Sequence, residues 1–381
     1  MRVILHFLLV FSMTMGLLIS CGGGDDNEGG ENGNNEVPVE VSRSFDRGSM
    51  LEDWADLIII PAFNSYSQKI VQLVATKDAF IADPSSSTID DLRQAHLSAY
   101  ICWQRVAMFD IGKAEEIGLS NFTNVYPTNI DSIEAHVASQ SFNLELPSNF
   151  AAQGFPALDY LLYGLGESDD AVLSQLQSSG YSHYLDVLVS RLSNLTDEVV
   201  TDWNGNYRAT FINDDGASAT ASTDRLVNDF LFYYERFLRA GKIGIPSGVF
   251  SVDPLPATVE SFYSKTDSKI LFMEGLSAVE AFFRGASHDD KTVIGESLES
   301  YIRHIEREGF SAGLADDILS QLDSARSQSE LLSDDFTQQI ATDNSVMRAT
   351  YDELQKAVIL LKVDMMQAFN IQVDFIDADG D

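Results

Sequence analysis

The sequence predicts an all-α fold of two helical-bundle domains, and three observations carry that expectation. Apolar residues recur at helical spacing from about Met50 onward, while strand-like alternation is scarce. Helix-start signals and glycine- or proline-bearing breaks cut the chain into segments of helical length. The 381 residues, 45% of them apolar, can fill two cores.

The N-terminus reads as a leader. Met1-Arg2 precedes a mostly apolar run, Val3 to Ile19, and then "LLISCGGG". A basic start, a short apolar stretch and a small residue before the cleavage point predict a secretory signal peptide over 1–20. The run is short for a membrane span. Leu18-Ile19-Ser20-Cys21 resembles the bacterial lipobox, which implies attachment to a membrane through lipidated Cys21; a plain signal peptide with a chance cysteine is the competing reading. The other cysteine, Cys102, then lacks a partner, so no intramolecular disulfide is expected. Between Ile101 and Trp103 it should be a small buried residue. Residues 22–36, "GGGDDNEGGENGNNE", hold no apolar side chain, and 21–47 is expected to be an acidic flexible tether. An acidic stretch directly after a lipidated cysteine resembles the surface-export signals of Bacteroidetes lipoproteins, which implies the outer membrane and its outer face.

The folded part is expected as an N-terminal bundle over 48–210 and a C-terminal bundle over 211–381, with the boundary in the polar stretch 202–222. Pro61 in "LIIIPAFNSY" should kink the first helix. "SSTIDD" offers Ser87 or Thr88 as N-cap, with Asp90 or Asp91 three residues on. From Tyr181 a stripe runs through Tyr184, Leu185, Leu188, Leu192, Leu195, Val199 and Trp203 on one helix face. A second stripe, Tyr351, Leu354, Val358, Leu361, Met365 and Phe369, has the three-and-four spacing of a bundle seam. "GKIGIPSGVFSVDPLP", 241–256, is the one long loop of the second half. Both halves hold long helices around a midpoint loop, which suggests duplication.

Charge excludes one class of partner. Against 24 Lys and Arg stand 58 Asp and Glu, a formal charge of −34 that repels phosphate backbones, so no nucleic acid is expected. Cationic ligands and metal ions would be attracted.

Several segments together resemble the imelysin family: "LIIIPAFNSY", "AYICWQRVAMFDIG", "QGFPALDYLLYG", "NDFLFYYERFLRAGKIGIPSG" and the closing "YDELQKAVILLKVDMMQAFNIQVDFIDADGD" occur in that family's order over roughly 48–381. The resemblance implies two helical bundles related by duplication in an envelope protein, often iron-regulated, with envelope metal-uptake proteins as partners. It also implies a catalogued metallopeptidase activity, with metal uptake or binding as the competing idea. The family's G-x-H-x-x-E motif falls on Gly154, Pro156 and Asp159. Proline stands where the histidine belongs, and aspartate replaces glutamate on a stem one carbon shorter. A ligand pair three residues apart works by sharing a helix face, and here one ligand is gone.

No catalytic residue is therefore assigned. Asp159 and Glu235 are the candidate ligands for a divalent metal or iron. Arg105, set among Trp103, Val106 and Phe109, needs a partner, and Arg105, Asp159 and Glu235 are expected to form a polar cluster in an inter-domain cleft. An ordinary structural ion pair is the alternative. Local chemistry also explains the motif segment without any ligand: Pro156 suits the first helical position, Asp159 suits the first turn, and Gly164 can close the helix left-handed. There is no H-E-x-x-H, nucleophile elbow, P-loop or dinucleotide fingerprint. His304 and Glu308 lie four apart in "RHIERE", a segment that reads as a salt-bridged surface. Asp374, Asp377, Asp379 and Asp381 close the chain at a spacing that hints at calcium but lacks the loop's remaining ligands. The expected roles are thus a binding protein for metal or a partner, a metallopeptidase, or a non-catalytic structural protein of the envelope.

Overall fold

Phe45 is the first residue that the computed structural model describes, and Phe375 the last. The signal peptide, Cys21 and most of the tether lie outside the described residues, as do Asp377, Asp379 and Asp381. The folded body starts earlier than position 48. Phe45 stacks on Tyr301 at 4.3 Å, and Tyr301 stacks on Phe369 at 4.4 Å. Arg47, 7% exposed, donates to Tyr301 Oη at 3.0 Å and pairs with Asp224 at 3.5 Å. With Gly216 O at 3.1 Å as a third partner, this buried guanidinium holds 45–47 on the folded body, so they do not belong to the tether.

The first helices are α1 (Arg47–Asp53), α2 (Ile60–Ala82) and α3 (Ser86–Val106). A π turn over Trp54–Ile59 joins α1 to α2 without a break. Pro61 follows it at the start of α2, and the widened turn lies where a kink was expected. The N-cap of α3 is Ser85, whose hydroxyl accepts from Thr88 N while Thr88 Oγ1 returns a bond to Ser85 N. This sets the N-cap two residues before Ser87, with Thr88 as the box's other member, because Asp83-Pro84 ends α2 and leaves Ser85 extended. Short helices α4 (Lys113–Ile117), α5 (Leu119–Thr123), α6 (Ile130–Ser139), α7 (Gly154–Asp159) and α8 (Asp169–Leu176) lead to the long α9 (Ser179–Asp202). From α9 the chain passes through a π turn, kinked at Gly205 where φ and ψ leave the helical region, into α10 (Arg208–Asn213), so the first part of the expected boundary stretch is two helices meeting at a kink.

The later helices are α11 (Ser222–Phe232), α12 (Ser268–Arg284), α13 (Leu298–Arg307), α14 (Leu314–Ser329), α15 (Phe336–Val358) and α16 (Met366–Phe369). A π-helical stretch, Tyr233–Gly244, prolongs α11 into the segment read as a loop. Among the described residues there is no strand, only an isolated bridge between Ala286 and Ile294. None of the described helices is long and apolar enough to cross a membrane.

Both predicted stripes are core. Tyr184 through Trp203 are buried where α9 packs on α2, which also packs on α3. The stripe from Tyr351 to Phe369 is buried where α15 meets α14 and the π-helical stretch. Cys102 is free and buried. Helix α12 packs on α3, and Phe282 gathers rings from both sides of the expected boundary: Trp54 at 4.9 Å, Phe109 at 5.5 Å and Phe230 at 5.4 Å. The described residues consequently pack as one compact unit.

Phe282→Ala should lower stability by about 3–5 kcal/mol, the usual cost of emptying a large aromatic site. Because the core is shared, urea unfolding followed by far-UV circular dichroism and by tryptophan fluorescence should give one coincident transition, shifted equally in both. Two separated transitions, with only one displaced, would show that the core is not shared.

Candidate functional site

The motif segment is shaped by Gly154. Its φ of +72° is unfavourable for a side chain, and a Cβ there would lie 2.1 Å from the Thr123 carbonyl oxygen. The missing side chain lets the start of α7 close on the end of α5, next to Asn124. Phe155 is buried and stacks on Tyr100 at 4.5 Å. Its carbonyl meets His96 Nε2 at 3.2 Å. His96 is fully buried, and burial pushes its pKa down to about 4, so it is neutral at pH 7.

Pro156 is the third residue of α7, not its first, still within the turn where backbone N–H groups lack intrahelical partners. Asp159 ends α7 and does not cap its own helix. It reaches across to the segment 261–264: Tyr263 N donates to Oδ2 at 2.8 Å, Ser264 N to Oδ1 at 3.0 Å, and Ser261 Oγ to Oδ1 at 3.4 Å. Ser261 has φ +58°, a conformation that a non-glycine residue holds only under restraint. Asp159 supplies that restraint. Gly164 does not close the helix left-handed: a Cβ there would lie 2.6 Å from both Tyr160 and Tyr263, so it is small to let these rings approach.

The neighbour of Ser261 carries the polar centre. Glu260, 3% exposed, accepts from Asn124 Nδ2 at 2.8 Å and Gln104 Nε2 at 3.2 Å through Oε1. Its Oε2 pairs with the ammonium of Lys242, 2% exposed. Tyr100 Oη donates to Asn124 Oδ1 at 2.6 Å, which turns that amide's nitrogen toward Glu260. Burial lowers the pKa of Lys242, and the Glu260 charge opposes that fall. Lys242, Gln104, Asn124, Tyr126 and Tyr233 line a cavity of about 20 Å³, room for one water molecule. The Tyr233 hydroxyl is buried there without a hydrogen-bond partner among the described residues. Lys242 stands in "GKIGIPSG", flanked by glycine and isoleucine, within one of the segments that resemble the imelysin family. Nothing in the sequence marks Glu260, Gln104 or Asn124.

The expected cluster of Arg105, Asp159 and Glu235 does not form. Arg105 pairs with Glu274 of α12 at 2.5 Å, and Glu235 with Lys362 at 3.3 Å. Gln104 and Arg105 are successive residues of one helix, about 100° apart around its axis, so only one of them can enter the polar centre. Arg303 pairs with Glu299, Glu306 and Asp316, the salt-bridged surface expected beside His304. Of the acidic tail, Asp374 N donates to Asn228 at 3.1 Å.

A metal of the family kind does not fit these residues. Pro156 has no donor atom, and both oxygens of Asp159 already accept backbone N–H bonds. No three His, Cys, Asp or Glu side chains among the described residues are grouped to hold an ion.

The family model described as imelysin, a peptidase class, matches residues 59–364. The chain belongs to the imelysin family. Two solved structures share the imelysin-like fold. One is a protein named as an iron-regulated protein A precursor from Parabacteroides distasonis, with TM-score 0.69 and 17% identity, covering 84% of this chain and 95% of that one. The other is an imelysin-like protein from Psychrobacter arcticum, with TM-score 0.66 and 20% identity, covering 86% of this chain and 97% of that one. No curated protein matches the chain. Against the imelysin G-x-H-x-x-E pattern, Asp159 keeps the carboxylate but uses it to hold the loop that presents Glu260.

Two expectations follow. Burial raises Asp159 to a pKa of about 7, against the pull of the Tyr263 and Ser264 amides. The folded state therefore holds a proton between about pH 4 and 7 that the unfolded chain has released, and the contribution from Asp159 falls as pH rises through that window, by on the order of 3 kcal/mol in all. Asp229, raised to about 8 by burial, adds a slope of the same sign. Asp159→Asn should flatten the decline in urea-unfolding free energy between pH 4 and 7 and leave the Asp229 part; an unchanged slope would contradict the assignment. For the ion pair, Glu260→Ala leaves Lys242 buried and unpaired and should cost about 3–5 kcal/mol, whereas Lys242→Met with Glu260→Met should recover most of that loss in thermal unfolding.

Proposed function

We propose that this imelysin-family protein is a binding protein of the bacterial envelope and not a peptidase, with recognition centred on the Lys242–Glu260 chamber. The observation that supports this most directly is the chamber itself. The Lys242 ammonium, paired with Glu260, and the Tyr233 hydroxyl, unpartnered among the described residues, line a space of water-molecule size, enough for one polar group of a ligand. Pro156 in place of the motif histidine, together with the engaged oxygens of Asp159, weighs against metal-assisted hydrolysis. The lipobox-like Leu18 to Cys21 supports attachment to a membrane, and the acidic stretch after Cys21 supports the outer membrane as that membrane.

The name of the Parabacteroides relative supports a setting in iron supply. Since no grouped ligand set is present among the described residues, iron would arrive carried by an organic chelator rather than as the bare ion. Envelope metal-uptake proteins would be the partners in that setting.

Purified full-length protein should bind ferric citrate in calorimetry with a dissociation constant in the micromolar range, weakened strongly by Lys242→Met. Bare iron, zinc and calcium should give no stoichiometric binding, and denatured casein should survive incubation. Stoichiometric metal by mass spectrometry, with casein cleavage that is abolished by a chelator and by Asp159→Ala, would overturn this reading in favour of a metallopeptidase.

A further inference from the structure

On the other face of α3, Arg105 enters a second pocket of about 240 Å³, distinct from the Glu260 chamber. Its polar lining is Arg105, Glu274, Ser277, His288 and Lys291, and its apolar lining includes Ile58 and Phe109. Three basic side chains thus share one small cavity in a chain whose formal charge is −34.

These groups are available. Arg105 uses Nε for Glu274 at 2.5 Å, and its two terminal nitrogens make no bond among the described residues. No side-chain partner is present for His288 or Lys291 among the described residues. Each basic group also feels the others: His288 is lowered by burial and then by Lys291 and Arg105, while Asp289 and Glu274 raise it. Lys291 is lowered by burial and then by Arg105, with Glu274 and Asp289 opposing. Glu274 supplies a counter-charge in this partly enclosed space, paired with Arg105, and the three basic side chains outnumber it.

The segment that brings them is firmly built. Left-handed Gly285 ends α12 at φ +73°, and Gly295 N donates back to Gly285 O at 2.9 Å. Asp290 Oδ1 accepts from Thr292 N at 3.0 Å and Thr292 Oγ1 at 2.7 Å. His288 N donates to Leu57 O at 2.7 Å, inside the π turn that precedes α2. Two otherwise separate features, the π turn and the 286–297 segment, are therefore joined at the wall of this pocket.

We propose that the Arg105–His288–Lys291 pocket binds a small organic carboxylate, its charged group among the three basic side chains and its hydrocarbon part against Ile58 and Phe109. Arg105 suits this role because a guanidinium held at Nε still offers a planar edge to two carboxylate oxygens. The mixed lining, apolar on one side and basic on the other, distinguishes this ligand from inorganic phosphate, which has no apolar part to bury. The site does not depend on the Lys242–Glu260 chamber or on what that chamber binds.

The test titrates the full chain calorimetrically with n-butyrate and, separately, with inorganic phosphate, at ionic strength matched by sodium chloride. Butyrate should bind saturably at one site, and phosphate at least roughly tenfold more weakly. Lys291→Ala, at an exposed position, and His288→Ala should each weaken butyrate roughly tenfold, the usual loss of a charge-assisted hydrogen bond. Ala278→Phe, which fills the pocket, should abolish binding, and circular dichroism would verify that each variant is folded. No saturable butyrate binding, equal or tighter phosphate binding, or affinity unchanged in both Lys291→Ala and His288→Ala would each overturn the proposal.

Discussion

The buried pair of Lys242 and Glu260 is the constraint around which the centre of this protein is arranged. An unpaired ammonium or carboxylate at 2–3% exposure would be costly by several kcal/mol, so every neighbour has to hold the two in register. Gln104 and Asn124 satisfy one oxygen of Glu260, and Tyr100 orients Asn124. Tyr100 is itself held flat against Phe155. Phe155 is placed by the left-handed turn at Gly154, which only a glycine can make against the Thr123 carbonyl. Asp159, one turn further on, fixes the 261–264 segment from behind. The motif segment and the polar centre are thus two sides of one support.

That arrangement gives a physical account of how a family motif can change without the fold changing. A carboxylate that accepts two backbone N–H bonds is kept by its structural duty whether or not a metal ligand stands beside it. Once proline replaces histidine, nothing in the backbone of α7 is disturbed, because a proline in the first turn removes an N–H that has no partner in the helix. The segment retains its part in folding and gives up its part in coordination. The pocket at Arg105 differs: Glu274 supplies one carboxylate to three basic side chains.

Three of the five stretches of π geometry among the described residues lie beside the sites described above. Trp54–Ile59 lies against the 286–297 segment through Leu57, Tyr160–Gly164 follows Asp159, and Tyr233–Gly244 carries both Tyr233 and Lys242. Widened turns shift which side chains face inward, and such turns gather near functional positions. None of the three is legible in the spacing of apolar residues, since the place of the extra residue is set by how each helix packs on its neighbours.

What the amino-acid sequence determined by itself was the helical class, the two main core stripes from Tyr184 and from Tyr351, the isolated buried Cys102, and Pro156 at the motif histidine. These are local or periodic properties: each follows from spacing along one helix or from a residue type that lacks a donor atom. Only the tertiary structure decided which polar residues meet. Arg105 is paired by α12, Asp159 by the 261–264 segment and Glu260 by Lys242, Gln104 and Asn124. Such pairings depend on the angle at which one helix face meets another, and neighbours as close as Gln104 and Arg105 are sent to different pockets by a rotation of about 100°. The shared core around Phe282 likewise arises from helix crossings that no single segment encodes.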